Sequence, residues 1–368
     1  MARNRYQTAN FGKKRRVILI SVGAAVLAAA AVLVFILVVP KNVRNKTYTP
    51  SAANEGIYTG KWLRSKPHGQ GTMSYANGDI YEGEWKNGLF DGQGTFTYYN
   101  GDVYAGEFKN GLESGQGTLT YNNGDVYVGE FKDGAKNGKG TLTYRNSDVY
   151  EGEWKDDAQN GQGTMTYHYG DVYKGGWKDG LFEGQGTYTW ENGSVYTGEW
   201  KDSRGNGQGT MTYSNGDVYD GEWQDGMPNG QGVMKYAKGN VYTGEFKDGE
   251  CDGQGTMKYA RGDVYEGEWA NGKQNGQGIM TYTNREVYEG EWINNKFHGK
   301  GLMKYWNGDV YKGEFAFGER SGNGLMTYAN GDVYEGAFYD GKPSGQGTMT
   351  YADGTVQSGF WGNGKFIE

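Results

Sequence analysis

Carboxylates recur every 23 residues along much of this chain, and evenly spaced carboxylates can share cations along a repetitive fold. One row comprises Glu84, Glu107, Glu130, Glu153, Glu199, Glu222, Glu245, Glu268, Glu291 and Glu314. A second, led by Asp79, Asp102 and Asp125, follows Asn-Gly pairs. A calcium ladder is one reading of these rows. The favoured reading is structural: the Asp row shapes turns, and the Glu row faces solvent near a lysine row that includes Lys201 and Lys247.

The other groups that could do chemistry are sparse. His68, His168 and His298 have no second histidine at ligand spacing, so they read as surface loop residues. Cys251 lacks a nearby His or second Cys and reads as an incidental loop residue. Gly-x-Gly recurs, as in Gly207-Gln208-Gly209, but leads into a strand pattern with no helix N-terminus to hold phosphate. No catalytic, cofactor-binding or metal-binding residue is expected. Tyr- and Trp-rich repeats also resemble choline- or glycan-binding modules, in which rings cradle a cation or sugar. Those modules carry adjacent aromatics, whereas here the spacing is Tyr-x-Gly-x-Trp.

Charge divides the chain. Residues 1–50 hold nine of the 37 basic side chains and none of the 44 acidic ones, so the remainder carries 28 against 44, a net −16. A body that acidic is a poor partner for phosphate, which argues against nucleic acid and against flat adsorption on anionic lipid. Val17 to Val39 is uncharged, with only Ser21 polar. As a helix of 23 residues it would span about 34 Å, enough to cross a bilayer. Lys13, Lys14, Arg15 and Arg16 precede it, which predicts a cytoplasmic N-terminus (1–16), a single-pass anchor (17–39), a polar tether (40–56) and an array (57–368) outside the cytoplasm. A cleaved signal peptide is the competing reading, but apolar sequence continues past Ala28–Ala31. Asn45-Lys46-Thr47 fits a glycosylation sequon, a weak pattern.

The elements that would position these rows follow from one repeat. Tyr58, Tyr81, Tyr104 and onward to Tyr334 recur every 23 residues, and a fourteenth copy starts at Gln357 with Gly359 and Trp361 in register. Counting from the Tyr, position three is Gly and position five is Trp or Phe in all fourteen copies. Both Thr-Met-Thr-Tyr and Val-Tyr-x-Gly-Glu-Trp alternate and favour strands, with Asn-Gly between them as a hairpin signal. In residues 207–223, a three-residue loop Ser214-Asn215-Gly216 pairs Met211 with Tyr219 and Gly209 with Gly221. That register puts aromatics and glycines on one face and Gln208, Thr210, Thr212, Val218 and Glu222 on the other. A six-residue connection, shaped by Gly226 and Gly230, then leads on from Trp223. About 27 strands at ~4.8 Å spacing would make a twisted sheet roughly 130 Å long.

The unit Y-x-G-E-W-K-x-G-x-x-x-G-Q-G-T-M-T-Y-x-N-G-D-V resembles the MORN repeat, over residues 58–368. The resemblance implies an all-β fold, an elongated single antiparallel sheet of stacked hairpins, and a role in protein association or membrane-linked scaffolding without catalysis. Some plant lipid kinases carry such arrays, but here the repeats leave no room for kinase motifs within 58–368. Ser65, Asp157, Ser203 and Asn295 replace the usual Gly at position eight, so differently shaped loops are expected there. Gln357 and Phe360 break the pattern and read as a capping copy.

With no helix to cover it, the aromatic face is expected to leave an accessible groove for a protein or peptide partner. Its central residues are Tyr173, Trp177, Trp190, Tyr196, Trp200, Met211, Tyr213, Tyr219, Trp223, Met234 and Tyr236. An envelope or carbohydrate ligand and direct association of the array with lipid are the alternatives. Self-association is a further partner expectation carried by the resemblance.

Overall fold

The computed structural model describes residues 56–368. These form one open antiparallel sheet of twenty-eight strands, from β1 (Gly56–Leu63) to β28 (Lys365–Phe366), each paired with its neighbours in the chain. There is no helix among the described residues. The anchor expected at 17–39 lies outside them. One strand more than expected is present because Lys365–Phe366 folds back on β27 (Val356–Gly362).

Two turn types alternate. Between β14 (Arg204–Thr212) and β15 (Val218–Gln224), Met211 pairs with Tyr219 and Gly209 with Gly221, the register expected from the Asn-Gly signal. Gly216 is left-handed at φ 89°, and its N–H donates to the Tyr213 carbonyl at 2.9 Å. The Asn215 side chain grips Asp217, accepting its N–H and donating to its carboxylate, each at 2.9 Å.

The second connection corrects the six-residue loop. Asp225 and Gly226 (φ 51° and 85°) form a two-residue turn, and β16 (Met227–Lys235) starts immediately after it. Positive φ at both positions matches the right-handed strand twist, the reason Asp-Gly and Asn-Gly dominate such turns. Consequently His68, His298 and Cys251 lie on strands rather than in loops. Only His168 sits in a turn.

The copies lacking Gly at position eight also keep this turn, contrary to the expected change of shape. Ser65, Asp157, Ser203 and Asn295 adopt φ of 61°, 68°, 62° and 65°. Three of them gain a bond that glycine cannot make. The Phe182 N–H donates to Ser203 Oγ at 2.9 Å, Lys136 N–H to Asp157 at 3.0 Å, and Gln274 N–H to Asn295 at 2.8 Å.

Candidate binding surface

The aromatic face is the core of the sheet. Tyr219 is wholly buried, and its hydroxyl donates to the Glu222 carbonyl at 2.8 Å. Its ring lies flat over Gly232, where a Cβ would stand 2.5–2.7 Å from ring and hydroxyl atoms. Trp223 meets Tyr219 edge-on at 5.3 Å and Tyr196 of the preceding copy at 4.9 Å, and its indole N–H donates to the Gly209 carbonyl at 2.9 Å. Repetition of this unit builds a continuous zipper of rings from Tyr58 to Trp361.

This arrangement overturns the expected accessible aromatic groove. Tyr173, Trp177, Tyr196, Trp200, Met211, Tyr219, Trp223 and Met234 are buried. Trp190, Tyr213 and Tyr236 are half-buried at the margin. A one-layer sheet can bury its own face because paired glycines leave bare backbone on which rings lie flat, while each ring covers the next. The eight buried side chains are therefore packing groups.

The carboxylate rows have structural partners that residue spacing alone did not reveal. At the bulge between Gly198 and Trp200, Glu199 stands opposite three residues, Asn206 to Gln208. Its carboxylate covers left-handed Gly207 (φ 64°) and accepts the Gln208 N–H at 3.2 Å. Glu84, Glu107, Glu130, Glu153, Glu245, Glu268, Glu291 and Glu314 make the equivalent bond. Among the described residues no ion pair joins this Glu row to the lysine row.

The Asp row shapes turns as expected, and it also links copies. Asp217 accepts the N–H of Ala237 at 2.8 Å, and similar bonds run from Asp79–Tyr99 to Asp332–Ala352. Ser194 and Asn240 supply the oxygen in two copies. Burial alone would raise the Asp148 carboxyl, but the His168 main-chain N–H and imidazole and the Asn146 amide outweigh it and hold the group below its usual range. Asp263 is lowered likewise: burial is outweighed by the Thr283 N–H and the Arg261 guanidinium. A depressed folded-state pKa adds stability that is complete above the unfolded value and lost as pH falls through the folded value. The thermal midpoint should therefore be flat above pH ~5 and drop below pH ~4, where free Asp begins to protonate. Asp148→Asn should flatten that drop in a circular-dichroism melt series. An unchanged acid limb would exclude Asp148 as a contributor.

Burial pushes the Cys251 thiol up to about 12, against the lowering effect of a hydrogen bond with Tyr236. At pH 8 roughly one part in ten thousand would be thiolate, and the thiolate is the reactive form. A disulfide-exchange reagent should label Cys251 only after denaturant is added. Rapid labelling of the native chain would show that this strand opens readily.

Accessible side chains lie on the opposite face. A shallow cleft there is floored by Gly83, Gly94, Gly106 and Gly117 and walled by Gln93, Gln116, Ala105 and Val128, the last 52% exposed. Among the described residues no group of three or more His, Cys, Asp or Glu is placed to hold a metal ion, and no helix is long and apolar enough to cross a membrane.

No curated protein matches the chain by sequence comparison at a significant level. Among solved structures, the chain is similar to the TCP domain of Drosophila melanogaster SAS-4 in complex with a proline-rich motif of Ana2, at 12% identity and TM-score 0.27. That match covers 41% of this chain and 83% of the other. It is also similar to the TCP10 domain of Danio rerio CPAP in complex with a STIL peptide, at 14% identity and TM-score 0.27, covering 69% and 97%. A virginiamycin B lyase from Staphylococcus aureus matches at 12% identity and TM-score 0.13, covering 83% and 88%. The MORN repeat family model matches thirteen consecutive 23-residue units, from 58–80 to 334–356, and the truncated fourteenth copy follows them. With that match spanning most of its length, the chain belongs to the MORN repeat family.

Proposed function

We propose that this chain is a non-enzymatic scaffold, anchored in a membrane by residues 17–39 with its N-terminus in the cytoplasm, whose array binds a protein or peptide partner beyond the bilayer. The observation that carries the binding reading is the division of labour between the faces. The aromatic face is used up in packing, while the glycine-floored face keeps polar and scattered apolar side chains in solvent over the whole array. Long, open, repetitive surfaces of this kind suit extended partners. The anchor reading rests on the uncharged run 17–39 and the basic cluster before it.

Two measurements test the proposal. The full chain should capture a protein from extract saturably, and more strongly than it captures isolated envelope carbohydrate or liposomes. Preference for the carbohydrate fraction would replace the protein partner with a glycan. Protease added to intact cells should digest the array, and its complete protection would reverse the orientation.

A further inference from the structure

The exposed face changes character along the array. Position fifteen, which faces solvent, is Thr in nine of thirteen copies, and Thr210 spends its hydroxyl on Asp220 across the strand pair at 2.8 Å. In three consecutive copies the residue is a large aliphatic: Ile279, Leu302 and Leu325. Ile279 and Leu325 are each 38% exposed. Position six changes over the same stretch. It is lysine in every copy from Lys86 to Lys201, but Ala270, Ile293, Ala316 and Tyr339 towards the C-terminus. Ile293 and Tyr339 are also exposed. Two separate rows therefore turn apolar in the same copies and on the same face.

The surroundings of the stripe are charged, with acidic side chains in excess. Ile279 is flanked across the sheet by Glu266 and Glu289, and Leu325 by Lys312 and Glu335. Adding the other solvent-facing positions of these copies, the face carries Glu266, Glu268, Glu289, Glu291, Glu314, Glu319 and Glu335 against Lys273, Lys296, Lys300, Lys304 and Lys312, a net −2. Such a surface suits a partner with cationic flanks around apolar anchors.

Spacing selects the partner's conformation. Equivalent residues in successive copies are two strands apart, about 9.4–9.8 Å. An extended peptide crossing the strands would cover that distance in about three residues, and anchors three apart fall on opposite sides of an extended chain. A helix advances about 10.5 Å in seven residues and returns its side chains to nearly the same face.

We propose that the stripe Ile279–Leu302–Leu325 docks a cationic amphipathic helix lying along the array, with apolar residues at heptad spacing seated on the stripe. This deepens the scaffold reading and rests on it. The test uses the full chain and a synthetic helical peptide of about three heptads, with leucine at every seventh position and lysines flanking it. The probe should bind, weaken as salt rises from 50 to 300 mM, and lose at least tenfold in affinity when Ile279→Thr, Leu302→Thr and Leu325→Thr are combined. Thr at this position is compatible with the fold because most copies already carry it. A glutamate-flanked version of the peptide should not bind. Failure of the lysine probe to bind, or binding indifferent to the three reversions, overturns this site while leaving a scaffold that captures its partner elsewhere. Binding to phosphatidylserine vesicles that the reversions abolish would assign the stripe to a membrane and overturn the helix.

Discussion

Tyr219→Ala should lower the stability of the array by about 3–5 kcal/mol, the usual cost of deleting a buried aromatic side chain. The ring has no exposed surface, and its removal breaks edge-on contacts with Trp223 and, in the next copy, Phe246 at 4.8 Å. It also uncovers Gly232 and leaves the Glu222 carbonyl without its 2.8 Å partner. Tyr219→Phe isolates that last loss and should cost about 0.5–1.5 kcal/mol, the net worth of one hydrogen bond to an acceptor that water can still reach. Burial pushes the Tyr219 phenol well above its usual range, so it remains a neutral donor throughout the accessible pH range. Urea unfolding of both variants would measure the two terms. If Tyr219→Ala cost no more than Tyr219→Phe, the rings would be packed too loosely to serve as the core.

Glu199→Gln makes a useful contrast. An amide oxygen can still accept the Gln208 N–H, so the bulge should persist with only a weaker, uncharged bond. The Glu row therefore belongs to the backbone architecture, although spacing alone suggested a solvated row. Its partner lies nine residues away across a bulge, and a pattern of alternating strands contains no sign of an extra residue on one side. The Asp row was partly legible for a similar reason. Its grip on the local Asn-Gly turn is a short-range signal, whereas its bond to the turn twenty residues later depends on how hairpins stack.

The long-range order itself was readable. A strict 23-residue period, Gly216 and its equivalents, and the segregation of faces select a single register, and the observed pairing has it. The Asp225-Gly226 turn carries an equally strong hairpin signal, yet its surroundings resemble a longer connection. The residues after it, Met227 to Gly230, do not alternate in polarity because the strand bulges there. Burial of the aromatic face departs further from what the sequence pattern implies. Counting apolar residues on a one-sided sheet predicts exposure, and only ring-on-glycine geometry reveals that the face closes on itself. That geometry also moves the binding question to the opposite face, where Ile279, Leu302 and Leu325 depart from the repeat.

Adding one methyl group should test this geometry more sharply than deleting a ring. At Gly232 a Cβ would fall 2.5 Å from the Tyr219 hydroxyl oxygen and 2.6 Å from Cε2. The ring cannot slide away, because its hydroxyl is bonded to Glu222 and aromatic neighbours stand on both sides. Gly232→Ala should therefore cost about 1–3 kcal/mol by overpacking. Gly221→Ala with Gly232→Ala should cost more than either alone, since a Cβ on Gly221 would lie 2.5 Å from the Gly232 Cα. Gly249→Ala is the control. Gly249 is left-handed at φ 86° with nothing within 4 Å of its Cβ position, so its cost is backbone strain alone, roughly 1–2 kcal/mol. Gly249→Asn should cost less again, because Asn tolerates that conformation and Asn295 occupies the equivalent place in another copy. Chemical denaturation of the five variants separates steric from conformational cost. If the Gly221/Gly232 double variant destabilises no more than Gly249→Ala, the glycine pairs are not held against the tyrosine rings, and the account of how a single-layered sheet makes its own core fails.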